Sequence, residues 1–157
     1  MAQSAHIQLL MHEQIDKVKW DEGIAQSIHG FVYAKSSYLD HMSAGWHALV
    51  HGNYEAIMPI TWRSKMGIRY MYQPAFCQQL GMFYSQESLG NLLPNFLKQI
   101  ALEFKLVEIF VNYKNADMQG LQQATNFVLP LHGDYNMIKA GYKTDLHKNL
   151  KRTEKFR

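Results

Sequence analysis

The chain changes its apolar pattern partway along, and this change limits the folds that it can adopt. Within residues 46–72, apolar residues form short extended runs separated by glycine-containing loops at 51–53 and 66–67. Within residues 85–104 they recur every three or four positions, as one face of a helix requires. Because short strands joined by short loops pair most simply with their neighbours, the sequence predicts a meander of three antiparallel strands and a helix packed on their sheet.

Further strands extend this pattern to a mixed α+β fold, a three-layer (α/β) arrangement with a mainly antiparallel central sheet. Pro59 places the end of its strand at an edge or a bulge, because proline cannot donate to a strand ladder. The near-continuous apolar run at 106–111 is typical of a strand buried on both faces. The predicted strands are 6–11, 46–50, 54–60, 68–72, 106–111 and 127–131.

Helices are predicted at 15–28, 91–104, 118–124 as a short segment, and from Thr144 onward. Asn91 is the expected N-cap of the second helix, and Pro94 lies in its first turn. Thr144 caps the last helix, in which Leu146 and Leu150 share one face. Between the first helix and the meander, residues 31–33 are predicted to be extended and residues 36–42 to form a polar and aromatic connector.

Composition supports one folded domain. The chain has 157 residues, of which 47% are hydrophobic, and this is enough to bury a core. Its single cysteine, Cys77, excludes an internal disulfide and a cysteine-based structural zinc site, and fits a reducing compartment. The start of the chain shows no basic leader with an apolar stretch, and no segment approaches the apolar length of a membrane span. We therefore expect a cytoplasmic protein without a membrane span.

Charge is uneven along the chain. Residues 143–157 carry six basic and two acidic side chains, whereas the other 142 residues carry ten basic and eleven acidic ones. The balanced body lacks the positive surface that nucleic acid requires, so we expect no DNA partner. The sequence thus predicts a domain at 1–142 followed by a basic helical tail at 143–157.

Familiar catalytic and cofactor motifs are absent from the sequence. It contains no Walker-type phosphate loop and no G-x-G-x-x-G, G-x-S-x-G or H-E-x-x-H pattern. His47 and His51 lie on a predicted strand with no carboxylate to complete a ligand set, so no metal site is predicted. Cys77 has no histidine near it in sequence and fits a buried structural role better than that of a nucleophile. The sequence identifies no catalytic residue.

The densest group of aromatic and amide side chains lies at residues 70–84. Glutamines beside aromatic residues at a strand end suit a cleft that binds a ligand, because buried amides need hydrogen-bond partners. A core strand followed by a well-bonded loop explains the same residues. The loop before Gly67 adds two cations that could meet a phosphate or carboxylate, and a solvated turn explains these equally well. The candidate substrate-binding residues are Arg63, Lys65, Tyr72, Gln73, Gln78, Gln79 and Asn112.

The run YLDHMSAGWHALVHGNYEAIMPITWRSKMGIRYMYQPAFCQQLGMF, residues 38–83, resembles the first half of bacterial proteins related to GNAT acyltransferases, in particular those of the FemAB/FemX type. The tail HKNLKRTEKF is similar to the segment that opens their second lobe. The resemblance implies a GNAT-like (acyl-CoA N-acyltransferase) fold. Characterised FemAB/FemX proteins add amino acids from aminoacyl-tRNA to the peptide of cell-wall precursors, and only the second of their two lobes carries the features used for acyl transfer.

The sequence departs from the pattern of a GNAT protein that binds acetyl-CoA. Such a protein places a Q/R-x-x-G-x-G/A loop after its fourth strand, where N–H groups at a helix N-terminus bind the pyrophosphate. The corresponding stretch here, QQLGMFYSQESLGN, contains Gly81 and Gly90 without that spacing. We therefore expect no cofactor. The chain resembles an acyl- or aminoacyltransferase, but as a single lobe it is expected to be incomplete, with little or no catalysis of its own.

The resemblance implies that such a lobe contributes to the binding of an acceptor substrate, for instance a cell-wall precursor. Two alternatives remain open at this point: a non-catalytic module that binds a small ligand or a partner, and an independent N-acetyltransferase with a degenerate loop. A lobe of a two-lobed architecture would leave apolar surface uncovered, so we expect a homodimer.

Overall fold

The computed structural model describes residues 6–115, 120–127 and 134–154. Contacts divide the chain into two units, Met1–Gln122 and Gln123–Arg157. The first unit contains the strands β1 (Ile7–Leu10), β2 (His47–His51), β3 (Ala56–Ile60), β4 (Trp62–Lys65), β5 (Ile68–Tyr72), β6 (Phe83–Tyr84) and β7 (Leu106–Glu108). Its α helices are α1 (Lys17–Gln26), α2 (Ser36–Met42) and α3 (Leu93–Glu103). Short 3-10 helices lie at His12–Gln14, Val32–Ala34, Glu87–Leu92 and Tyr113–Asn115.

The strands form two sheets. The first has the order β1-β2-β3-β6 with antiparallel neighbours throughout. The second has the order β4-β5-β7, in which β4 and β5 are antiparallel and β5 and β7 are parallel. The predicted mixed α+β class with mainly antiparallel strands is therefore confirmed.

The predicted single meander is wrong, because the chain changes sheets at Thr61. This residue is fully buried, its carbonyl accepts a hydrogen bond from the Tyr72 backbone N–H at 3.0 Å, and its hydroxyl donates to the Tyr72 carbonyl at 2.6 Å. The predicted hairpin of β2 and β3 is present in the first sheet. Residues after Thr61 form β4, which was not predicted, and its hairpin with β5 starts the second sheet.

The Met66–Gly67 turn and Pro59 both occupy positions that suit their backbone conformations. Met66 and Gly67 have φ of 52° and 76°, which suits the tight β4–β5 hairpin and confirms the predicted turn. Pro59 pairs with Ala48 of β2, while β6 pairs with β3 only at Ala56 and Ile57. Pro59 therefore lies at a strand end whose other side has no ladder partner among the described strands, as predicted.

Helices cover both faces of the first sheet. On one face, Trp20 and Ile24 of α1 and Leu39 of α2 pack with residues of β2, β3 and β6. On the other face, Phe96 and Ile100 of α3 pack against a second set of residues from β2 and β3. The first unit therefore has helix, sheet and helix layers, as the predicted three-layer arrangement requires.

The connector predicted at 36–42 is instead the helix α2. The carboxylate of Asp21 in α1 accepts from the Ser36 backbone N–H at 2.7 Å and from the Ser36 hydroxyl at 2.8 Å, which fixes the first turn. Leu39 is then fully buried. The segment predicted as extended at 31–33 is also wrong, because Val32–Ala34 is a 3-10 helix. Tertiary contacts determine the helical conformation of both segments, because apolar residues do not recur at helical spacing in either of them.

The predicted helix at 15–28 is present as α1. Asp16 caps it by accepting from the N–H groups of Val18 and Lys19, both at 3.1 Å. The predicted helix at 91–104 is present as α3, with Pro94 in its first turn. Its N-cap is Leu92 rather than the predicted Asn91, because a 3-10 helix runs directly into it.

The apolar run predicted to be buried on both faces is exposed. All three residues of β7 are exposed, including Leu106 at 59%, because this strand lies at the rim of the second sheet. A run of apolar residues therefore does not distinguish a central strand from an edge strand.

The second unit contains α4 (Tyr135–Ala140) and α5 (Thr144–Thr153). Helix α4 was not predicted; Asp134 caps it by accepting from the Asn136 N–H at 3.3 Å. Helix α5 confirms the predicted C-terminal helix, although its N-cap is Lys143 and not Thr144. Gly120 to Ala124 are not helical, against the prediction for 118–124, whose first two positions lie outside the described residues.

Two further predictions are not tested by the described residues, or are tested only in part. In the strand predicted at 127–131, Phe127 has no regular structure and the other positions lie outside the described residues. The boundary predicted after Tyr142 stays a prediction. Among the described helices, none has the length and apolar character needed to cross a bilayer.

Candidate functional site

The seven predicted substrate-binding residues fall into two groups. Arg63, Lys65 and Tyr72 lie on one face of the second sheet. The other four lie in the loops that follow β5 and β7, and these are Gln73, Gln78, Gln79 and Asn112. The first group is therefore held within the sheet, whereas the second belongs to the loops beyond the strand ends.

The first group shares a sheet face that we call the outer sheet face. Residues directly opposite each other across a ladder point to the same side. On the other side of this sheet, Met71 is buried and Trp62 packs against the core beside α3. The outer sheet face therefore points away from the core, and it consists of Arg63, Lys65, Ile68, Tyr70, Tyr72, Leu106 and Glu108.

Arg63 and Tyr72 form a stacked pair on this face. The guanidinium carbon lies 4.4 Å from the centre of the Tyr72 ring. The Tyr72 hydroxyl lies 3.4 Å from the Ser43 hydroxyl and 3.5 Å from the Met42 carbonyl, which holds the ring. Tyr70 extends the aromatic surface, with its ring centre 6.2 Å from that of Tyr72. The arrangement presents a cation on a fixed ring, a form suited to an anion joined to a flat or apolar group.

The loop glutamines bond to backbone groups. Gln73 donates from Nε2 to the Cys77 carbonyl at 2.7 Å, and its Oε1 accepts from the Phe110 N–H at 3.1 Å. Gln79 is buried, and its Oε1 accepts from the Tyr113 N–H at 3.1 Å. Both side chains therefore fix the loops around 73–79 and 110–113. Gln78 is exposed, and direct ligand contact by any of the three stays a prediction.

Asn112 is fully buried and fixes the segment that contains Gly81. Its Nδ2 donates to the carbonyls of Leu80 and Met82 at 2.9 and 3.0 Å. Asn115, which the sequence analysis did not select, accepts from the Met82 N–H at 2.9 Å through Oδ1. Gly81 has φ of 90°, and a Cβ there would lie 2.5 Å from that oxygen. Gly81 is therefore required by the packing of Asn115.

His29 is a buried histidine that the sequence analysis also missed. Its Nε2 lies 3.1 Å from the Met82 carbonyl, so this nitrogen carries the proton. Its ring stacks on Phe83 at 5.6 Å and meets the Tyr84 ring at 4.6 Å. Nδ1 is buried without a partner among the described residues. Burial lowers the pKa of His29, so the ring is neutral in this environment.

Next to these loops lies a set of aromatic side chains that we call the aromatic strip: Phe31, Tyr33, Tyr38, Phe76 and Tyr113. Phe31 stacks on Tyr33 at 5.2 Å and lies 6.4 Å from Tyr113, and Tyr33 lies 6.4 Å from Tyr38. The Tyr38 hydroxyl donates to the Phe76 carbonyl at 3.3 Å. Phe76 and Tyr113 are 89% and 59% exposed, so the strip presents apolar rings to solvent.

Asp40 is the centre of a polar cluster on the α1 and α2 side of the first sheet. It accepts from Lys17 Nζ at 2.7 Å and from Trp46 Nε1 at 3.0 Å, and His12 Nε2 lies 3.7 Å away. Burial by itself raises the pKa of Asp40, but the hydrogen bonds from Lys17 and Trp46 outweigh it and hold the pKa below its ordinary value. Since both carboxylate oxygens are bonded, the cluster fixes α1 and α2 to β2.

Other features offer little chemistry. A shallow hollow between β1, β2, β3 and α3 has a volume of about 40 Å³, far less than a small-molecule site. Cys77 is buried, as predicted, and burial raises the pKa of its thiol. Across the described residues, no group of three or more His, Cys, Asp or Glu side chains could hold a metal ion.

Comparisons of this chain with models of protein families, with curated proteins and with solved structures return no match.

Proposed function

We propose that the first unit is a GNAT-like lobe of the FemAB/FemX type, and that it binds an acceptor substrate on the outer sheet face. The observation that carries the proposal is the pairing of Arg63 with Tyr72 at 4.4 Å, beside Lys65 on the same exposed face. A guanidinium that stacks on a ring keeps its edge N–H groups free to form a forked contact with phosphate or carboxylate.

The layer order supports the GNAT-like part of the proposal. A strand is followed by helices, by antiparallel strands, by α3 and then by β7, an order compatible with a GNAT-like fold. The connection between the parallel strands β5 and β7 contains β6 and then α3, and α3 packs against residues of β2, β3 and β5. No catalytic group is assigned, and the unit acts by binding.

The backbone after Gln79 supports a lobe that binds no acyl-CoA. The Leu80 N–H donates to the Phe110 carbonyl at 2.7 Å, and the Met82 N–H donates to Asn115. Groups bonded in this way are not free to bind a pyrophosphate. Gly90 also has a packing reason, since a Cβ there would lie 3.2 Å from the Tyr84 hydroxyl.

The chemistry of the face indicates the kind of acceptor. Arg63 and Lys65 suit a diphosphate or carboxylates, and the rings of Tyr70 and Tyr72 suit a flat or apolar part of the same molecule. A nucleotide-linked muramyl peptide, the cell-wall precursor, offers both. Glu108 is the acidic residue of the face, and it pairs with Tyr72 across the ladder, away from Lys65.

Calorimetry with a nucleotide-linked muramyl peptide and the full chain tests the proposal. We expect measurable binding that Arg63→Ala weakens about tenfold or more, because charged hydrogen bonds contribute about 1.5–3 kcal/mol. The matched control is Lys98→Ala, which removes an exposed cation from α3 and should leave binding unchanged. Equal binding by Arg63→Ala and the unchanged chain would contradict a site on the outer sheet face.

The same instrument tests the acyl-CoA part separately. Acetyl-CoA should give no measurable heat with the full chain. A dissociation constant in the low micromolar range, about 8 kcal/mol of binding free energy, would contradict this part and favour an independent N-acetyltransferase.

The aromatic strip favours a second candidate, a non-catalytic module for assembly or small-ligand binding. Phe76 is 89% exposed although its φ of 62° is unusual for a bulky residue, so the turn keeps a large ring in solvent at a conformational cost. Exposed aromatic residues are enriched where proteins bind each other. For such a module, Phe76→Ser and Tyr113→Ser would change association while Arg63→Ala would not.

A further inference from the structure

The free edge of the second sheet lies along the chain from Leu106 to Val111. Within this region β7 pairs with β5, and Val111 forms an isolated parallel bridge with Leu80. Beyond β7 the sheet order contains no further strand among the described residues. A sheet edge without a neighbour presents unpaired N–H and C=O groups and can pair with another chain.

The backbone bonds show which residues face this edge. The Phe110 N–H donates inward to Gln73 Oε1, the Phe110 carbonyl accepts from the Leu80 N–H, and the Asn112 N–H donates to the Leu80 carbonyl. Successive residues of an extended chain direct their backbone groups to opposite edges. Residues 107, 109 and 111 therefore direct theirs outward, where the described part of the chain supplies no partner.

The side chains near this edge are apolar and exposed. Leu106, Val107 and Phe110 are 59%, 38% and 53% exposed. Apolar side chains left in solvent along a strand edge favour a partner that covers them. Long apolar edges of this kind are normally shielded by charge, by proline or by another element.

We propose that a second copy of this chain pairs with the edge, antiparallel and with its two-fold axis at Ile109. In this register Ile109 lies opposite Ile109 of the second copy, and Val107 lies opposite its Val111. Every outward backbone group from 107 to 111 then has a partner. The sheets of the two copies become one continuous sheet.

Charge disfavours two of the alternative pairings. Antiparallel pairing centred on Glu108, or parallel pairing in register, sets two Glu108 side chains directly opposite each other, and like charges at that position are destabilising. With the axis at Ile109, Glu108 lies opposite Phe110. The two Phe110 rings then lie on one diagonal of this face and the two Glu108 side chains on the other, so the like charges are no longer directly opposite each other. The contact is closed by symmetry, so it yields a dimer and not a fibre.

Light scattering on the full chain tests the association. We expect a dimer for the unchanged chain and a monomer for the double variant Leu106→Lys, Phe110→Lys, which sets cations along the edge. Val32→Lys is the matched control, because Val32 is 68% exposed on the 3-10 helix Val32–Ala34 and should leave the dimer intact. Circular dichroism shows that each variant is folded. A monomeric unchanged chain would overturn the proposal and would mean that the chain covers its own edge or leaves it free.

Cysteine cross-linking tests the register. In Ile109→Cys the two Cα atoms would lie about 5.5 Å apart, within the range for a disulfide. In the control Leu106→Cys the two cysteines would lie roughly 20 Å apart, because each Leu106 is opposite Asn112. We expect a cross-linked dimer under mild oxidation only for Ile109→Cys, since the native Cys77 is 4% exposed. A dimer that cross-links at 106 and not at 109 would contradict this edge pairing. The proposal does not depend on ligand binding, so either proposal can fail alone.

Discussion

The two sheets of the first unit differ in what covers them. The first sheet has helices on both faces, and Trp20 of α1 and Trp46, just before β2, are fully buried on one of them with ring centres 4.7 Å apart. Among the described residues, the second sheet has only Trp62 and Met71 packed against the core, while its outer face carries Arg63, Lys65 and two tyrosines in contact with solvent.

This difference separates stability from recognition. Free energy of folding comes mainly from buried apolar area, which is concentrated around the first sheet. Groups that can meet a ligand must stay accessible, and these lie on the second sheet. Substitutions in the two regions should therefore affect different measurements.

The largest effect is expected for Trp46→Ala in the core that packs on the first sheet. The change leaves a cavity and removes the donor to Asp40 at 3.0 Å, so unfolding free energy should fall by about 3–5 kcal/mol. Urea unfolding followed by circular dichroism measures this loss. A loss below about 1 kcal/mol would show that the first sheet is not the main source of stability.

Substituting two glycines that have positive φ, one near each sheet, allows a direct comparison of the two regions. Gly81→Ala next to β6 forces Cβ against Asn115 Oδ1 and should cost about 3 kcal/mol, through strain and a broken hydrogen bond. Gly67→Ala in the β4–β5 turn has nothing within 4 Å and should cost only about 1 kcal/mol of backbone strain. Urea midpoints of the two variants measure the difference. Similar losses would mean that Asn115 yields to the new methyl group.

The lowered pKa of His29 predicts how the free energy of unfolding depends on pH. Burial lowers its pKa in the folded state, so the unfolded chain binds a proton more readily as the pH falls below the ordinary value of 6.5. This contribution to stability is complete above pH 6.5 and decreases as the pH falls towards the folded pKa. His29→Asn retains a donor to Met82 and cannot titrate, so its stability should fall less between pH 7 and pH 5. A residual slope is expected because burial also lowers the pKa of His47. An unchanged slope in His29→Asn would show that other groups cause it.

The smallest effect on stability is expected for Arg63→Ala. It removes an exposed cation–π contact, which contributes about 0.5–1 kcal/mol at such sites. The melting temperature should therefore change little, whereas binding of an anionic ligand should weaken. A destabilisation equal to that of Trp46→Ala would remove the distinction between the two sheets.

Much of the fold could be predicted because its segments carry strong local patterns. The hairpin of β2 and β3, the Met66–Gly67 turn and α3 all have such patterns, and all three are present. Helix α2 could not be predicted, because Asp21 fixes its first turn from another helix. The exposure of β7 could not be predicted either, since the same apolar run fits a central strand.

The same contrast between local sequence patterns and tertiary contacts holds for the candidate site. The sequence selected Arg63, Lys65 and Tyr72 one by one, but it did not reveal that they share a face, because the loop predicted before Gly67 is the strand β4. Asn115 gives no pattern in the sequence, because its importance comes from the Met82 N–H that the fold brings to it. Buried polar partners of this kind depend on the completed tertiary structure.

The hydrogen bonds between Thr61 and Tyr72 connect the first sheet, which stabilises the fold, to the outer sheet face, where we propose that the ligand binds. Thr61 directly follows β3 of the first sheet, and Tyr72 supports Arg63 on the second. The Tyr72 N–H donates to the Thr61 carbonyl at 3.0 Å, and the Thr61 hydroxyl donates to the Tyr72 carbonyl at 2.6 Å. A change in the core that alters the angle between the sheets must therefore also move the ring beneath Arg63. Distant core substitutions that preserve folding thus become a means of tuning affinity on a surface that they never touch.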